Sequence, residues 1–241
     1  MPATLKLVQL NIEGSKHLDL VIPFLVAQNP DVVCLQELKR QDIARFEKEL
    51  SMTCFFTPMH NGASGINGNG IFSNLPMTNH CAEQYGGNWE EGLQEYIHGD
   101  RKAGYASSKF MLSMVDIENQ RNIFRIGITH FPVTDHGEAS DYQRESIINM
   151  LKLLAKKGEF VLTGDFNAPR GGEIFAELAS HYKDNVPLKY TTSIDGNIHR
   201  AGPLPHMVDG IFSTPGCSVS NVEMISGISD HCALVADISL H

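Results

Sequence analysis

The sequence lacks the cysteine patterns that mark disulfide scaffolds and zinc sites. Its five cysteines, Cys34, Cys54, Cys81, Cys217 and Cys232, are odd in number, widely spaced and form no C-x-x-C pair. A disulfide-stapled secreted protein carries an even, closely spaced set, and a zinc site carries clustered pairs. The pattern indicates neither, and a reducing cytoplasm is the location that we expect.

Long hydrophobic runs are absent as well. A helix that crosses a membrane needs about 20 mostly apolar residues in succession, and no stretch of this sequence approaches that length. The N-terminus does not show the charged, apolar and small-residue regions that follow one another in a signal peptide. We therefore expect no membrane segment.

Positive charge is scarce. The chain has 19 Lys and Arg residues against 28 Asp and Glu residues, which gives a net charge of −9. Strong unassisted binding of nucleic acid is not expected, because that affinity comes mainly from basic side chains that neutralise phosphates. A nucleic-acid enzyme is still permitted, since a bound divalent cation can invert the field at a site.

Three familiar catalytic motifs are also missing. The sequence has no G-x-x-x-x-G-K-[ST] phosphate loop, no G-x-S-x-G nucleophile elbow and no H-x-x-x-H zinc pair. Ser229, Asp230 and His231 are contiguous, and neighbouring side chains of an extended chain point apart. They therefore cannot form a hydrolase triad among themselves.

The sequence does contain alternating apolar strands and amphipathic helices. Strands are predicted at 4–11, 32–37, 52–59, 70–73, 105–117, 122–131, 160–165, 206–213, 217–225 and 232–238, and helices at 17–28, 41–50, 141–157 and 173–181. Residues 86–104, which contain Trp89, are predicted to form a long surface loop, and residues 183–205 to be irregular. With 241 residues, 42% of them hydrophobic, and no repeat or linker, one α/β domain over 1–241 is the simplest account.

One stretch, residues 159–170, ends a buried strand with polar groups. The apolar run 160–162 is followed by Gly164, and Asp165 and Asn167 then stand two residues apart. In an extended chain they face the same side. A carboxylate beside an amide suits the activation of water next to an oxyanion. The alternative is a solvated Asp-x-Asn turn.

Other polar residues share this placement at strand termini. Taken singly, each has an ordinary explanation: Glu37 could pair with Lys39 on the surface, and His130 could be a satisfied core histidine. Taken together they indicate a site, because loops at strand ends converge on rigid scaffold. Their carboxylate and amide oxygens favour Mg²⁺ or Mn²⁺. The set comprises Asn11, Glu37, His130, Asp165, Asn167, Asp209, Asp230 and His231.

Six stretches, in this order, resemble the motifs of the endonuclease/exonuclease/phosphatase family, which has the DNase I-like fold. They are 10–14 (LNIEG), 35–37 (LQE), 129–131 (THF), 164–167 (GDFN), a weaker match at 208–212 (VDGIF), and 229–231 (SDH). The resemblance implies a four-layer α/β sandwich of two packed mixed β-sheets flanked by helices. The sequence departs from the family pattern at Met207 and Gly210, where relatives often carry an arginine and a tyrosine.

The resemblance also implies a role for each residue at the metal end of the site. Glu37 matches the principal metal ligand, and Asn11 and Asp230 match residues close to the metal. Glu13 stands where some members place an aspartate ligand.

The remaining five residues match the parts of the family motif that face the phosphate. Asp165 matches the residue that orients or deprotonates the attacking water. Asn167 and His130 match donors to phosphate oxygens. Asp209 and His231 match an Asp–His pair whose histidine faces the scissile phosphate.

The expected activity is metal-dependent phosphoester hydrolysis, and we expect DNA as substrate. Basic residues near the predicted site loops favour DNA, and they are Arg101, Lys102, Lys109, Arg170 and Arg200. The acidic balance favours the alternative of a phosphatase or phosphodiesterase on small molecules or lipid head groups. A further alternative is a non-catalytic binding protein on the same scaffold.

Overall fold

The computed structural model describes residues 4–241, which form two six-stranded mixed sheets. The first sheet has the order β11-β12-β1-β2-β4-β3, with β1 Thr4–Asn11, β2 Val32–Lys39, β3 Thr53–Gly62, β4 Gly65–Ser73, β11 Cys217–Ile225 and β12 Ala233–Leu240. The second has the order β5-β6-β7-β8-β10-β9, with β5 Met77–Gly87, β6 Lys109–Asn119, β7 Asn122–His130, β8 Val161–Asp165, β9 Lys183–Asp184 and β10 Asp209–Ser213.

Helices cover the outer faces of both sheets. They are α1 Leu18–Gln28, α2 Ile43–Leu50, α3 Arg101–Ala106, α4 Asp141–Leu154 and α5 Glu173–His181. Strand β2 shows why the layers form, because its side chains alternate between two apolar surroundings. Val32 and Cys34 pack into the core between the sheets, whereas Val33 and Leu35 pack under α1 and α2. The predicted four-layer α/β sandwich is confirmed.

The pairing of the strands brings the predicted site residues to one edge. Strands β1 and β2 are parallel, with Asn11 opposite Gln36, and β7 and β8 are parallel, with His130 opposite Asp165. Carboxyl ends of parallel strands lie at the same edge of a sheet. Strand β10 runs antiparallel to β8 and begins there, with Asp209 opposite Asp165.

The prediction for residues 86–104 was wrong at both ends of the loop. Strand β5, Met77–Gly87, has a half-exposed, polar sequence without clear alternation, because it forms the edge of its sheet. Helix α3 occupies Arg101–Ala106, part of which was expected to be strand. The Asp100 side chain caps it by accepting a hydrogen bond from the Ala103 backbone N–H at 3.0 Å.

Two further boundaries differ from the prediction. The predicted strands 52–59 and 70–73 are longer than expected and meet in a tight hairpin, since β3 and β4 remain paired as far as Gly62 and Gly65. Helix α4 ends at Leu154 rather than at residue 157, because the Lys156 N–H bonds the Leu153 carbonyl in a tighter turn. Within residues 4–241, no helix combines the length and the apolarity needed to cross a membrane.

Candidate active site

The Asp165 carboxylate lies at the centre of the site. Its Oδ2 accepts a hydrogen bond from Asn11 Nδ2 at 3.1 Å, and its Oδ1 accepts one from the Asn167 backbone N–H at 2.9 Å. Two imidazoles approach the same Oδ2, with His130 Nε2 at 3.6 Å and His231 Nε2 at 3.8 Å. Four predicted site residues therefore surround one carboxylate, and they come from both sheets.

Burial controls the acidity of this carboxylate. Asp165 is only 1% exposed. Burial raises the pKa of Asp165 above its ordinary value, and the neighbouring charge of Asp209 adds to that rise, whereas the charges of His231 and His130 oppose it. A carboxylate with a raised pKa is a better proton acceptor than an exposed one, which suits a general base.

Asp209 and His231 form a buried ion pair across the two sheets. His231 Nδ1 lies 2.7 Å from Asp209 Oδ2. Burial alone would lower the pKa of His231, but the charges of Asp209 and Asp165 outweigh it and raise the pKa to about 10. The imidazole is therefore a cation at neutral pH, with its Nε2–H on the side of Asp165.

Gln9 supports this pair and is a residue that the motif comparison missed. Its Nε2 donates to Asp209 Oδ1 at 2.9 Å and to Gln36 Oε1 at 2.9 Å. Gln9 is fully buried and belongs to the first sheet, whereas Asp209 belongs to the second. A sequence signal was available, because Gln9 precedes Asn11 by two residues and shares its face of β1.

Glu37 stands at an irregularity in β2. The register between β2 and β4 shifts between Leu35 and Leu38, and Glu37 has a positive φ of 58°. Bulges of this kind redirect side chains at the margins of sheets. Here the Glu37 Oε1 accepts a hydrogen bond from Asn11 Nδ2 at 3.2 Å, so that Asn11 links Glu37 to Asp165.

Glu13 is held by cations of its own segment. Its carboxylate pairs with Lys16 and with His17 Nε2, the latter at 2.9 Å, and its backbone N–H donates to Asn11 Oδ1 at 3.1 Å. Burial raises the pKa of Glu13, but its bonds to Lys16 and His17 outweigh that and lower it.

Asp230 lies near two other carboxylates, those of Glu13 and Glu37. Burial raises the pKa of Asp230, His231 opposes the rise, and the nearby charges of Glu13 and Glu37 add to it. Its Oδ1 accepts a hydrogen bond from Ser229 Oγ at 3.2 Å. Crowding of partly buried carboxylates is unfavourable unless a cation lies among them, and hard divalent ions prefer oxygen ligands. The donor set therefore fits Mg²⁺ or Mn²⁺.

A second group also has the spacing of a metal site. Asp165, Asp209 and His231 each offer a ligand atom, and these atoms lie within 4.8 Å of one another. A protonated imidazole donates hydrogen bonds and cannot coordinate a metal. His231 Nδ1 already pairs with Asp209 Oδ2 at 2.7 Å, so in this structure the three side chains form an ion-pair network.

The Asn167 side chain is partly engaged in a hydrogen bond within the protein, which the motif does not imply. Its Nδ2 donates to the Phe131 backbone carbonyl at 2.9 Å, which uses one of the two amide hydrogens and fixes the side chain. The second hydrogen is left for a ligand. Ser193 is another residue that motifs missed, and its Oγ accepts hydrogen bonds from the backbone N–H groups of Val208 and Asp209 at 3.1 Å each.

The basic residues expected near the site are partly committed elsewhere. Arg170 pairs with Asp184 at 2.8 Å and donates to two backbone carbonyls, and its side chain is 16% exposed. Arg101 pairs with Asp135 at 3.1 Å. Lys102 and Arg200 are exposed. Two of the five expected basic residues are therefore engaged in ion pairs.

Comparison with known proteins gives the family and the fold. A model of the Endonuclease/Exonuclease/phosphatase family matches residues 8–231, whereas no curated protein matches the chain.

The catalytic domain of human Nocturnin, solved with a bound sulfate anion, is 18% identical, with a TM-score of 0.75 over 100% of this chain and 94% of that one. A mannosyl-6-phosphatase from Bacteroides thetaiotaomicron VPI-5482 is 12% identical, with a TM-score of 0.69 over 98% and 100%. TDP2 from D. rerio, solved with a single strand DNA product, is 15% identical, with a TM-score of 0.68 over 98% and 99%.

Proposed function

The chain belongs to the endonuclease/exonuclease/phosphatase family, and from that premise we propose that it is a divalent-metal-dependent phosphodiesterase that cleaves DNA. Members of this family are hydrolases of phosphoester bonds and generally use divalent metals. We propose DNA as the substrate, Mg²⁺ or Mn²⁺ as the metal, and the residue roles described below. We also propose that residues 1–241 form a single domain. We propose a cytoplasmic location as well, because all five cysteines are free.

The observation that carries the proposal is the environment of Asp165. Its carboxylate is buried, has a raised pKa and lies between two imidazoles, with Asn11 and Asn167 fixing its oxygens. Both imidazole nitrogens stand beyond ordinary hydrogen-bond distance, so a water molecule or a phosphoryl oxygen can share the space.

In the proposed reaction, Asp165 takes the proton of the attacking water, the water oxygen bonds to phosphorus, and the bond from phosphorus to the leaving oxygen breaks on the opposite side. The His231 imidazolium donates through Nε2 to a phosphoryl oxygen as negative charge develops, and His130 donates to another. Asp209 keeps His231 protonated and oriented. General-base help of this kind contributes roughly 10²- to 10⁴-fold to the rate.

Three residues would hold the divalent cation. Glu37 would be its principal ligand, and Asn11 and Asp230 would lie beside it. The cation would offset negative charge at the phosphoryl group and at the leaving oxygen. Glu13, which is occupied by Lys16 and His17, acts in the proposal as a neighbouring charge rather than as a ligand.

The test is cleavage of plasmid and single-stranded DNA by the purified protein. We expect cleavage with Mg²⁺ or Mn²⁺ and none with chelator, and we expect Asp165→Asn to remove it. Asp19→Asn, an exposed aspartate at the start of α1, is the matched control and should retain full activity. Full activity of Asp165→Asn would contradict the role given to Asp165.

A second candidate, hydrolysis of small-molecule or lipid-head-group phosphoesters, is favoured by the charge of the molecule. The net charge is −9, and Arg101 and Arg170 are engaged in ion pairs. A similar structure is a mannosyl-6-phosphatase. Turnover of small phosphoesters well above that of any DNA substrate would select this alternative. Absence of both metal binding and turnover would select the non-catalytic binding protein.

A further inference from the structure

Three aromatic rings lie together in contact with one another. Tyr96 lies 4.7 Å from His60, with 37° between the ring planes, and 4.7 Å from His98, which meets it edge to face at 74°. We name His60, Tyr96 and His98 the ring wall. None of these residues belongs to the proposed catalytic set.

Strand register places the ring wall at the catalytic edge. Lys39, two residues after Glu37, is opposite Asn67 on β4, and Asn67 is opposite His60 on β3. The three residues therefore form one row across the first sheet at the end where Glu37 lies. The charges of His130 and Glu37 both act on the His60 ring, in agreement with this placement.

The ring wall is also fixed to the second sheet. His60 Nδ1 lies 3.1 Å from the Oγ of Ser108, a buried residue directly before β6. The next residue, Asn61, accepts a hydrogen bond from the Tyr96 N–H at 2.8 Å and donates its own N–H to the Gln94 carbonyl at 2.8 Å. Behind Tyr96, a Cβ at Gly104 would lie 2.8 Å from the phenol oxygen, so the glycine of α3 makes room for the ring.

The ring wall has polar atoms that a ligand could contact. Tyr96 and His60 are half-buried and His98 is exposed. Within residues 4–241, His60 Nε2, the Tyr96 hydroxyl and the His98 ring nitrogens form no hydrogen bond to protein. Burial and the charge of His130 lower the pKa of His60 to about 4, so its ring is neutral at physiological pH.

We infer that the ring wall is a substrate subsite that binds a nucleobase next to the scissile phosphate. The inference deepens the proposed function and rests on it. Aromatic rings with unpartnered polar edges suit a planar heterocycle, whose faces stack and whose edges donate and accept hydrogen bonds. A phosphoester without a base would leave these groups unused.

The test is a comparison of binding by two sugar phosphates, one that carries a base and one with a hydroxyl group in its place. Thymidine 5′-monophosphate and 2-deoxyribose 5-phosphate are titrated calorimetrically into the protein in the presence of Mg²⁺. Stacking of a base on aromatic side chains corresponds to about 5- to 150-fold in affinity. We expect the nucleotide to bind tighter than the sugar phosphate by a factor in this range.

Single substitutions test which side chain causes the tighter binding of the nucleotide. Tyr96→Leu, which keeps an apolar side chain but removes the ring, should abolish most of the nucleotide preference and leave sugar-phosphate binding unchanged. Trp89→Leu is the matched control, because Trp89 is an aromatic residue of the same loop that is 66% exposed. It should keep the preference. Tyr96→Phe, which keeps the ring, should also keep the preference, and unchanged sugar-phosphate binding by Tyr96→Leu shows that this variant is folded.

The outcomes separate this inference from the proposed function. Equal affinities of wild type for the two ligands, or a loss in Trp89→Leu but not in Tyr96→Leu, would overturn the ring wall as a base subsite. Base-dependent binding without DNA cleavage would retain the subsite and reject the proposed nuclease. DNA cleavage without base-dependent binding would do the reverse.

Discussion

Replacing Gln9 with leucine tests whether the site depends on a contact between the two sheets. Leucine is similar in size and suits a fully buried position, but it cannot donate a hydrogen bond. The change leaves Asp209 Oδ1 without the donor that now lies at 2.9 Å, and it leaves Gln36 Oε1 without its partner. Asp209 itself is fully buried, so water cannot readily replace the lost amide.

The magnitude follows from the charge and burial of Asp209. A hydrogen bond to a charged group contributes about 1.5–3 kcal/mol. For a chain of this size each kcal/mol corresponds to about 2–4 °C in melting temperature. We therefore expect Gln9→Leu to melt about 3–12 °C lower. Because Asp209 orients His231, we also expect kcat to fall by up to about 100-fold, with little change in KM.

The assay combines thermal unfolding with hydrolysis of a DNA substrate at a temperature where the variant is folded. Gln41→Leu is the matched control, since Gln41 is exposed, and it should change neither quantity. Unchanged melting and unchanged kcat in Gln9→Leu would refute the reasoning. A lower melting temperature with wild-type kcat would leave Gln9 a structural residue only.

Three other predictions concern the metal, the ion pair and the core. Glu37→Gln should lose metal-dependent hydrolysis and the rise in melting temperature that Mg²⁺ gives to wild type, which a thermal-shift titration measures. His231 has a pKa raised to about 10 from an ordinary value of 6.5, chiefly because Asp209 and Asp165 outweigh burial. Its stabilisation is therefore present below about pH 6.5 and is lost as the pH rises through about 10. The difference in unfolding free energy between wild type and Asp209→Asn should shrink over that range in urea titrations, and a constant difference would contradict the pair. Phe46→Ala, in the fully buried core under α1 and α2, should cost about 3–5 kcal/mol in urea unfolding.

Much of the fold was predictable because its central strands are apolar on both faces. Strands such as β2 and β8 are covered by the opposite sheet and by helices, so their sequences are continuous hydrophobic runs that end in polar residues. Strand β5 could not be found in this way. It forms a sheet edge, its burial does not alternate along the strand, and its pairing with β6 is interrupted by two register shifts.

The site was predictable only as a set of strand-end residues matching a family pattern. The supporting contacts were not, because they join residues far apart in sequence. Gln9 and Asp209 are 200 positions apart, and the Ser108–His60 contact that anchors the ring wall spans 48. Such contacts depend on how the two sheets pack, and no local pattern in the chain encodes that packing.

The most direct test of the account is the position of a bound Mn²⁺ ion in crystals of the protein, located by its anomalous scattering. The account predicts one ion coordinated directly by Glu37, with Asn11 and Asp230 beside it. An ion bound instead among Asp165, Asp209 and His231, or no ion near Glu37 in crystals of an active enzyme, would contradict it.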